Sequence, residues 1–367
     1  MTAFPAIRWI GHSDNSRTDL GFPGVATTQR ATLYEAQQTS GTYSHHAHIT
    51  SFRGTLFATW SNGRQNEDDA GQRSLLRRSS DRGKTWTDWI ELFPAPSHEV
   101  RGEVVSVLCA NGFAEVDGTL YAIAEGYSGL GRMARSVAPD GAFGPIFWLH
   151  AEARKPAGGA AAHPGSDHPD FREQAARINA YLARPEHFPT WDFMCDTTHC
   201  LAADEHRQCE PTHAWKLSDG TWTRLWRDLD LSRWNYASFS PDDGNTWSTP
   251  VITDFPDISS RANAGTLPDG AVYVINNIRR EAEGGFPGRD PLAISLSADG
   301  TVFNRVGIIR HGVPPQRFQG RWRALGFQYP ASVLIDEDLL VIYSVNKEDI
   351  EMVRVPLAAL QDIPLSK

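Results

Sequence analysis

Ser79-Ser80-Asp81-Arg82-Gly83-Lys84-Thr85-Trp86 returns later in the chain as Ser240-Pro241-Asp242-Asp243-Gly244-Asn245-Thr246-Trp247. A looser copy follows as Ser297-Ala298-Asp299-Gly300-Thr301-Val302-Phe303. The shared pattern, S-x-D-x-G-x-x-W, has the chemistry of a tight hairpin. The Asp carboxylate can accept hydrogen bonds from backbone amides just beyond it, the Gly tolerates a positive φ, and the aromatic ring folds back over the turn. Each copy follows an apolar, strand-like run. Asp81, Asp242 and Asp299 are therefore read as structural, and their recurrence points to a repeat architecture.

A second repeat accompanies the first. His46 to Trp60 turns at Arg53-Gly54, Ala110 to Ala124 at Asp117-Gly118, Pro211 to Trp226 at Asp219-Gly220, Arg261 to Ile275 at Asp269-Gly270, and Tyr329 to Tyr343 at Asp336. Each reads as inner strand, turn, second strand. With edge strands near Ala6–Ile10 and Thr32–Gln37, these five units predict an all-β propeller of six or seven blades, seven being the better count. The N-terminal strands are expected to close the ring against Ile350–Val355, which removes exposed sheet edges. One propeller domain is expected to fill residues 1–367, interrupted by an inter-blade insertion over 155–189. That insertion carries a helix with Phe171, Ala175, Ile178 and Leu182 on one face.

Composition agrees with many short strands: the 367 residues include 31 Gly, 23 Pro, 12 Trp, 17 Phe and 9 Tyr. The formal net charge of −9, with no basic run, excludes nucleic acid as a partner. No apolar run is long enough to span a membrane as a helix. Met1–Trp9 lacks the basic and apolar regions of an export signal, so a cytoplasmic location is expected as written, or a secreted one if a signal has been removed. The oligomeric state is not specified.

Propellers aim the heads of their inner strands at the central channel. Aligning the five units places His46, Ala110, Pro211, Arg261 and Tyr329 at one level, and His48, Gly112, His213, Asn263 and Ala331 at the next. Imidazoles, a guanidinium, an amide and a phenol at strand heads need a reason, and a ligand at the channel mouth supplies one; mutual satisfaction with water is the alternative. Strand alternation puts His46 and His48 on one face and His45 on the other. Glu35, Glu103 and Glu210 are the carboxylates nearest predicted strand heads. Cys195, His199, Cys200, His206, Cys209 and His213 form a second cluster, without standard zinc-knuckle spacing. It leaves open a structural metal near Cys195 and Cys209, a disulfide from Cys195 or Cys200 to Cys209, or separate thiols. No cofactor is required. Trp191, Trp215, Trp234 and Tyr236 could stack on sugars or pack between blades.

The S-x-D-x-G-x-x-W boxes, the unit Ser260–Tyr273 and the closing Tyr329–Asp349 resemble the sialidase-like, Asp-box or BNR-repeat β-propellers over nearly the whole chain. The resemblance implies Asp boxes on outer hairpins and a carbohydrate partner at the channel. In sialidases it further implies an N-terminal Arg-Ile-Pro, three arginines on the sugar carboxylate, a Tyr/Glu nucleophile pair and an acid Asp. This chain has Ile7-Arg8-Trp9 instead, and alignment places only Arg261 at a strand head. The His-rich strand is similar to that of propeller enzymes acting on rhamnose linked to glucuronate, and more distantly to ulvan lyases. That similarity implies elimination at a uronate, with His48 as base and His46, His213 or Tyr329 assisting. Arg261, Asn263, Glu210 and Gln328 would hold the substrate, with no catalytic metal. Three functions follow, in order of preference: a uronate-directed lyase such as a rhamnose–glucuronate lyase, an exo-hydrolase of the sialidase or α-L-rhamnosidase type, and a glycan-binding propeller without catalysis.

Overall fold

The computed structural model describes residues 4–100, 103–126, 131–150, 156–159, 162–187, 200–279 and 288–366. Two strands come first, β1 (Arg8–Trp9) and β2 (Gln29–Tyr34). Blade one is the meander β3 (Tyr43–Phe52), β4 (Thr55–Gly63), β5 (Arg73–Ser79) and β6 (Ile90–Phe93). The ribbon β7 (His98–Val100) and β8 (Glu103–Val105) leads to blade two: β9 (Leu108–Val116), β10 (Thr119–Gly126), β11 (Gly131–Ser136) and β12 (Phe147–Trp148). Helix α1 (Arg172–Leu182) follows.

Blade three holds β13 (Cys200–Leu201), β14 (Arg207–Cys209), β15 (Trp215–Lys216), β16 (Trp222–Asp228), β17 (Trp234–Ser240) and β18 (Val251–Pro256). Its inner strand is split, since β14 and β15 both pair with β16. Blade four is β19 (Asn263–Thr266), β20 (Val272–Asn277), β21 (Leu292–Ser297) and β23 (Arg305–Arg310), while the intervening β22 (Val302–Phe303) pairs with β1. Blade five is β24 (Phe327–Ile335), β25 (Asp338–Val345), β26 (Asp349–Pro356) and β2, before the short α2 (Leu357–Gln361).

The described residues thus form five blades, not the six or seven expected from the sequence. All five inner-strand units found in the sequence are present, and the overcount came from the N-terminal strands. β2 makes no blade of its own but completes blade five, antiparallel to β26 from Gln29 opposite Arg354 to Tyr34 opposite Ile350. β1 makes only a two-residue bridge. The expected closure against the C-terminal strand is present, and it covers an edge that would otherwise offer unpaired amides.

The core lies between blades. Leu76, Phe93, Leu108 and Leu120 pack blade one on blade two, and Leu56, Trp60, Leu340 and Met352 pack it on blade five. Burial on both faces explains why β25 is a nearly continuous apolar run rather than an alternating one; β4 is buried on both faces as well, with small polar residues among its apolar ones. In the insertion, α1 buries Ala175, Ile178 and Leu182 against Ala114, Ile123 and Phe147 of blade two, as its periodicity predicted. No described helix is long and apolar enough to cross a membrane.

The three boxes close outer hairpins. Ser79 Oγ donates to Asp81 Oδ1 at 2.8 Å and accepts from Gly83 N at 2.7 Å, while Thr85 N donates to Asp81 Oδ1 at 2.9 Å. Ser240, Asp242, Gly244 and Thr246 repeat this arrangement, and Asp299 accepts from the amides of Thr301 and Val302. Each box also meets its surroundings at the rim. Gln29 Nε2 donates to Gly83 O at 2.7 Å, Trp215 Nε1 donates to Gly300 O at 3.0 Å, and a Cβ on Gly244 would collide with Pro185.

Candidate active site

The inner strands do not run smoothly into the channel. Register shifts between His45 and His48 in β3 and between Gln328 and Ala331 in β24, and blade three breaks between β14 and β15. At these breaks His46, Glu210 and Tyr329 have φ of 51°, 48° and 50°, and Ser259, ahead of β19, has 58°. Left-handed geometry costs such residues roughly 1–2 kcal/mol each. Bulges of this kind re-aim side chains. Strand alternation accordingly fails at the histidines. His45 and His46 both reach Tyr329, with ring centroids 4.1 and 5.6 Å from the phenol ring, instead of pointing to opposite faces.

Tyr329 is the centre of a buried polar cluster. Its Oη donates to Glu210 Oε1 at 3.0 Å and accepts from Arg227 Nη1 at 2.6 Å, and the same guanidinium nitrogen donates to Glu210 Oε2 at 2.7 Å. The guanidiniums of Arg261, Arg289 and Arg227 lie 5.0, 5.3 and 6.0 Å from the ring centroid. Arg289 donates to Gln328 Oε1 at 2.6 Å and to Ser259 O at 3.0 Å, and its buried Nε has no partner among the described residues. Arg261, 1% exposed, makes only long contacts: 3.4 Å to His48 Nε2 and 3.5 Å to the carbonyls of Ala47 and Tyr329. Among the described residues neither Arg261 nor Arg289 has a carboxylate at ion-pair distance. Lys347 pairs with Glu67 at the edge of the cluster.

Four cations therefore face two carboxylates, Glu67 and Glu210, in a region largely removed from water. Burying an unmatched guanidinium is costly. The electrostatics favour an anionic guest. Burial pushes Glu210 up, but Arg227, then Arg261 and Tyr329, pull it down and leave its carboxyl below the usual range. Burial raises the Tyr329 phenol well above its ordinary value; Arg227 opposes this and Glu210 adds to it. His46 and His48 are held well below the usual imidazole range by burial and then by Arg261, and His45 by burial and then by Lys347. Asp68 is pushed up to about 7 by burial and by neighbouring Glu67. His45, His46 and Glu67 offer ligand atoms within 4.8 Å of one another, yet Lys347 on Glu67 and the nearby guanidiniums make this a poor seat for a cation.

The eight residues singled out in the sequence fall into two groups that meet at Arg261. His46, Glu210, Gln328 and Tyr329 belong to the cluster just described. His48, His213 and Asn263, with Arg261, line a cavity of about 240 Å³ further along the channel. Glu35 and Glu103 are exposed, and Glu35 pairs with Arg317. Arg8 is also exposed and bonds Asp254. Trp215 and Tyr236 are buried packing groups. Cys195, His199 and Trp191 lie outside the described residues, and Cys209 is a buried free thiol raised by burial and Glu210.

Arg227, Arg289, Lys347, Glu67 and Asp68 were not reached from the sequence. Arg227 is on a second strand, opposite Cys209, and the others are on connections between strands. An alignment of inner-strand heads alone passes over such positions. A search for charged residues just outside apolar strand runs would have found Arg289 and Lys347.

Over residues 178–342 the sequence matches the BNR repeat-like domain. No curated protein matches the chain. Among solved structures, one named sialidase superposes with a TM-score of 0.75 at 22% identity, covering 96% of this chain and 35% of that one. A protein of unknown function from Dyadobacter fermentans gives 0.56 at 12% identity, covering 91% of this chain and 100% of that one. Trypanosoma rangeli sialidase, in complex with 2,3-difluorosialic acid as a covalent intermediate, gives 0.53 at 13%, covering 92% and 60%. The chain spans 35% of the length of the first of these and 60% of the last. At such identities the likeness is one of fold: a sialidase-like β-propeller carrying BNR-type repeats.

Proposed function

We propose that this protein is an exo-acting glycoside hydrolase for a terminal sugar bearing a carboxylate at its anomeric carbon, with Tyr329 as nucleophile. The observation that carries this reading is the Tyr329 hydroxyl held between Glu210 and Arg227 beneath two guanidiniums that have no carboxylate partner among the described residues. A carboxylate nucleophile would repel such a sugar; a neutral phenol does not. Arg261, Arg289 and Arg227 supply the charge and the planar donors that suit a carboxylate. Arg227 and Glu210 keep 15% and 11% side-chain exposure, so the couple is not sealed from solvent.

In the first step the Tyr329 oxygen bonds the anomeric carbon and passes its proton to Glu210. The glycosidic C–O bond breaks, and Asp68 protonates the leaving oxygen. In the second, Asp68 takes a proton from the attacking water, the bond to Tyr329 breaks, and Glu210 returns the proton to the phenolate. Two displacements retain the anomeric configuration. Asp68 follows Glu67, which pairs with Lys347 at the edge of the cluster, and its raised carboxyl suits a group that must donate and then accept near neutral pH.

Elimination at a uronate, with His48 as base and a rhamnose–glucuronate glycan as substrate, is the second reading. It is favoured by His48 lying against Arg261 at the cavity wall. The depressed imidazoles weigh against it, because a base far below neutral has little driving force for abstracting a carbon-bound proton.

Incubation with a 2,3-difluoro sialic acid, followed by peptide mass spectrometry, separates these readings. A sugar adduct on Tyr329 supports the hydrolase. A rise in near-ultraviolet absorbance from rhamnose-capped glucuronans, without an adduct, identifies the lyase. Neither signal with any acidic glycan leaves a binding propeller.

A further inference from the structure

The cavity beyond Arg261 has walls from all five blades and from the insertion. Blade one brings His48 and Thr50, blade two Asn111, blade four Arg261 and Asn263, and blade five Ser332. His213 comes from the chain between β14 and β15, and Tyr181, Glu186 and His187 come from the end of α1 and just after it. An adjoining hollow of about 440 Å³ shares Glu186, His213, Asn263 and Ser332 and leads to Lys216, Trp222 and Tyr273. Among the described residues, Tyr329, Glu210, Arg227 and Arg289 line neither space, and Arg261 is the only cation common to cavity and cluster.

We propose that this cavity is a second, non-catalytic ligand site for a monosaccharide-sized sugar acid, sharing Arg261 with the Tyr329 centre but none of that centre's other residues. Three observations support it. The Arg261 guanidinium is buried at the wall, with no partner closer than 3.4 Å among those described, and so can serve a carboxylate. Apart from Glu186 at the rim, the other polar walls are neutral donors and acceptors of the kind that match ring hydroxyls: three imidazoles, two amides and three hydroxyls. Asn263 is held in place by Ser332 Oγ donating to its Oδ1, which leaves the amide nitrogen to the cavity. Finally, a space of about 240 Å³ exceeds what one inorganic ion fills and lies near the lower end of small-ligand sites. The imidazoles are neutral here, His213 being lowered to about 4 by burial, His187 and Arg261, so they need not repel a hydroxylated ring.

Calorimetry of the whole chain with D-glucuronate, acetate and inorganic phosphate tests this. Glucuronate should bind once per chain and more tightly than acetate or phosphate. Ser332→Leu, which puts a larger side chain into the cavity, should weaken it about tenfold or more. Glu186→Gln, at the partly exposed rim, removes a like charge and should strengthen binding about threefold. The second variant keeps the test decisive if the first does not fold. Tyr329→Phe should leave this affinity unchanged, so failure of covalent trapping at Tyr329 would not touch this site. The proposal is overturned by absence of glucuronate binding, by binding that neither variant alters, or by phosphate binding as tightly as glucuronate. Cleavage of glucuronate glycans that depends on His48 would also overturn it, by making the cavity an active centre.

Discussion

Tyr329, Glu210 and Asp68 divide the proposed chemistry, and each can be removed with little change of shape. Tyr329→Phe keeps the ring that packs on His45 and Arg261 and deletes only the hydroxyl. It is expected to lower kcat by about a thousandfold or more while thermal unfolding stays near that of the parent. Asp68 gives a pH signature. Its carboxyl is raised, so it holds its proton at acid pH and loses it as pH rises through about 7. A general acid works only while protonated, and kcat should therefore be full below neutrality and fall above it. Asp68→Asn should abolish that alkaline limb, leaving residual activity only on substrates with good leaving groups. At this scale the sequence was only partly legible. His46, Glu210, Arg261 and Tyr329 could be found because they head strands, but the placement of His45 could not, because a left-handed residue at 46 breaks the alternation on which the reading depended.

Among the elements, the outer hairpins carry information that is independent of the site. Ser79 is buried and bonds both Asp81 and the Gly83 amide. Ser79→Ala should cost about 1–2 kcal/mol of stability, read from the shift in the urea midpoint, with kcat/KM of the folded protein unchanged. The boxes were legible because the hydrogen bonds that define them lie within a few residues, as were α1 and the five inner-strand units, whose periodicities are local. Strand partnership is not local. That Gln29–Tyr34 joins the last blade instead of starting one of its own, and that Arg289 bends back from the β20–β21 connection to reach Tyr329, are consequences of packing with no trace in adjacent residues. Blade three shows the same limit: Glu210 falls where its inner strand breaks in two, and no break is visible in Cys209-Glu210-Pro211 beyond the proline.

At the scale of the molecule, ring closure ties stability to the proposed chemistry. β2 completes the blade whose inner strand carries Tyr329, so damage to the N-terminal strand should reach the channel. Leu33, fully buried in β2, packs with Leu340 and Ile350. Leu33→Ala is expected to cost about 2–5 kcal/mol. Loss of activity in urea should then coincide with loss of tertiary circular dichroism, because the ring has no separate piece on which the Tyr329 cluster could persist. The same closure has a mechanical side. Gln29 begins β2 opposite Arg354 at the end of β26, so tension applied through the flanking chain enters both strands at the same end of the ladder. Hydrogen bonds loaded this way yield one after another and do not share the load in shear. A ring that is hard to melt should therefore unzip at low force in an optical trap, peeling from Gln29 toward Tyr34, while tethers that pull β2 and β26 from opposite ends should meet much greater resistance.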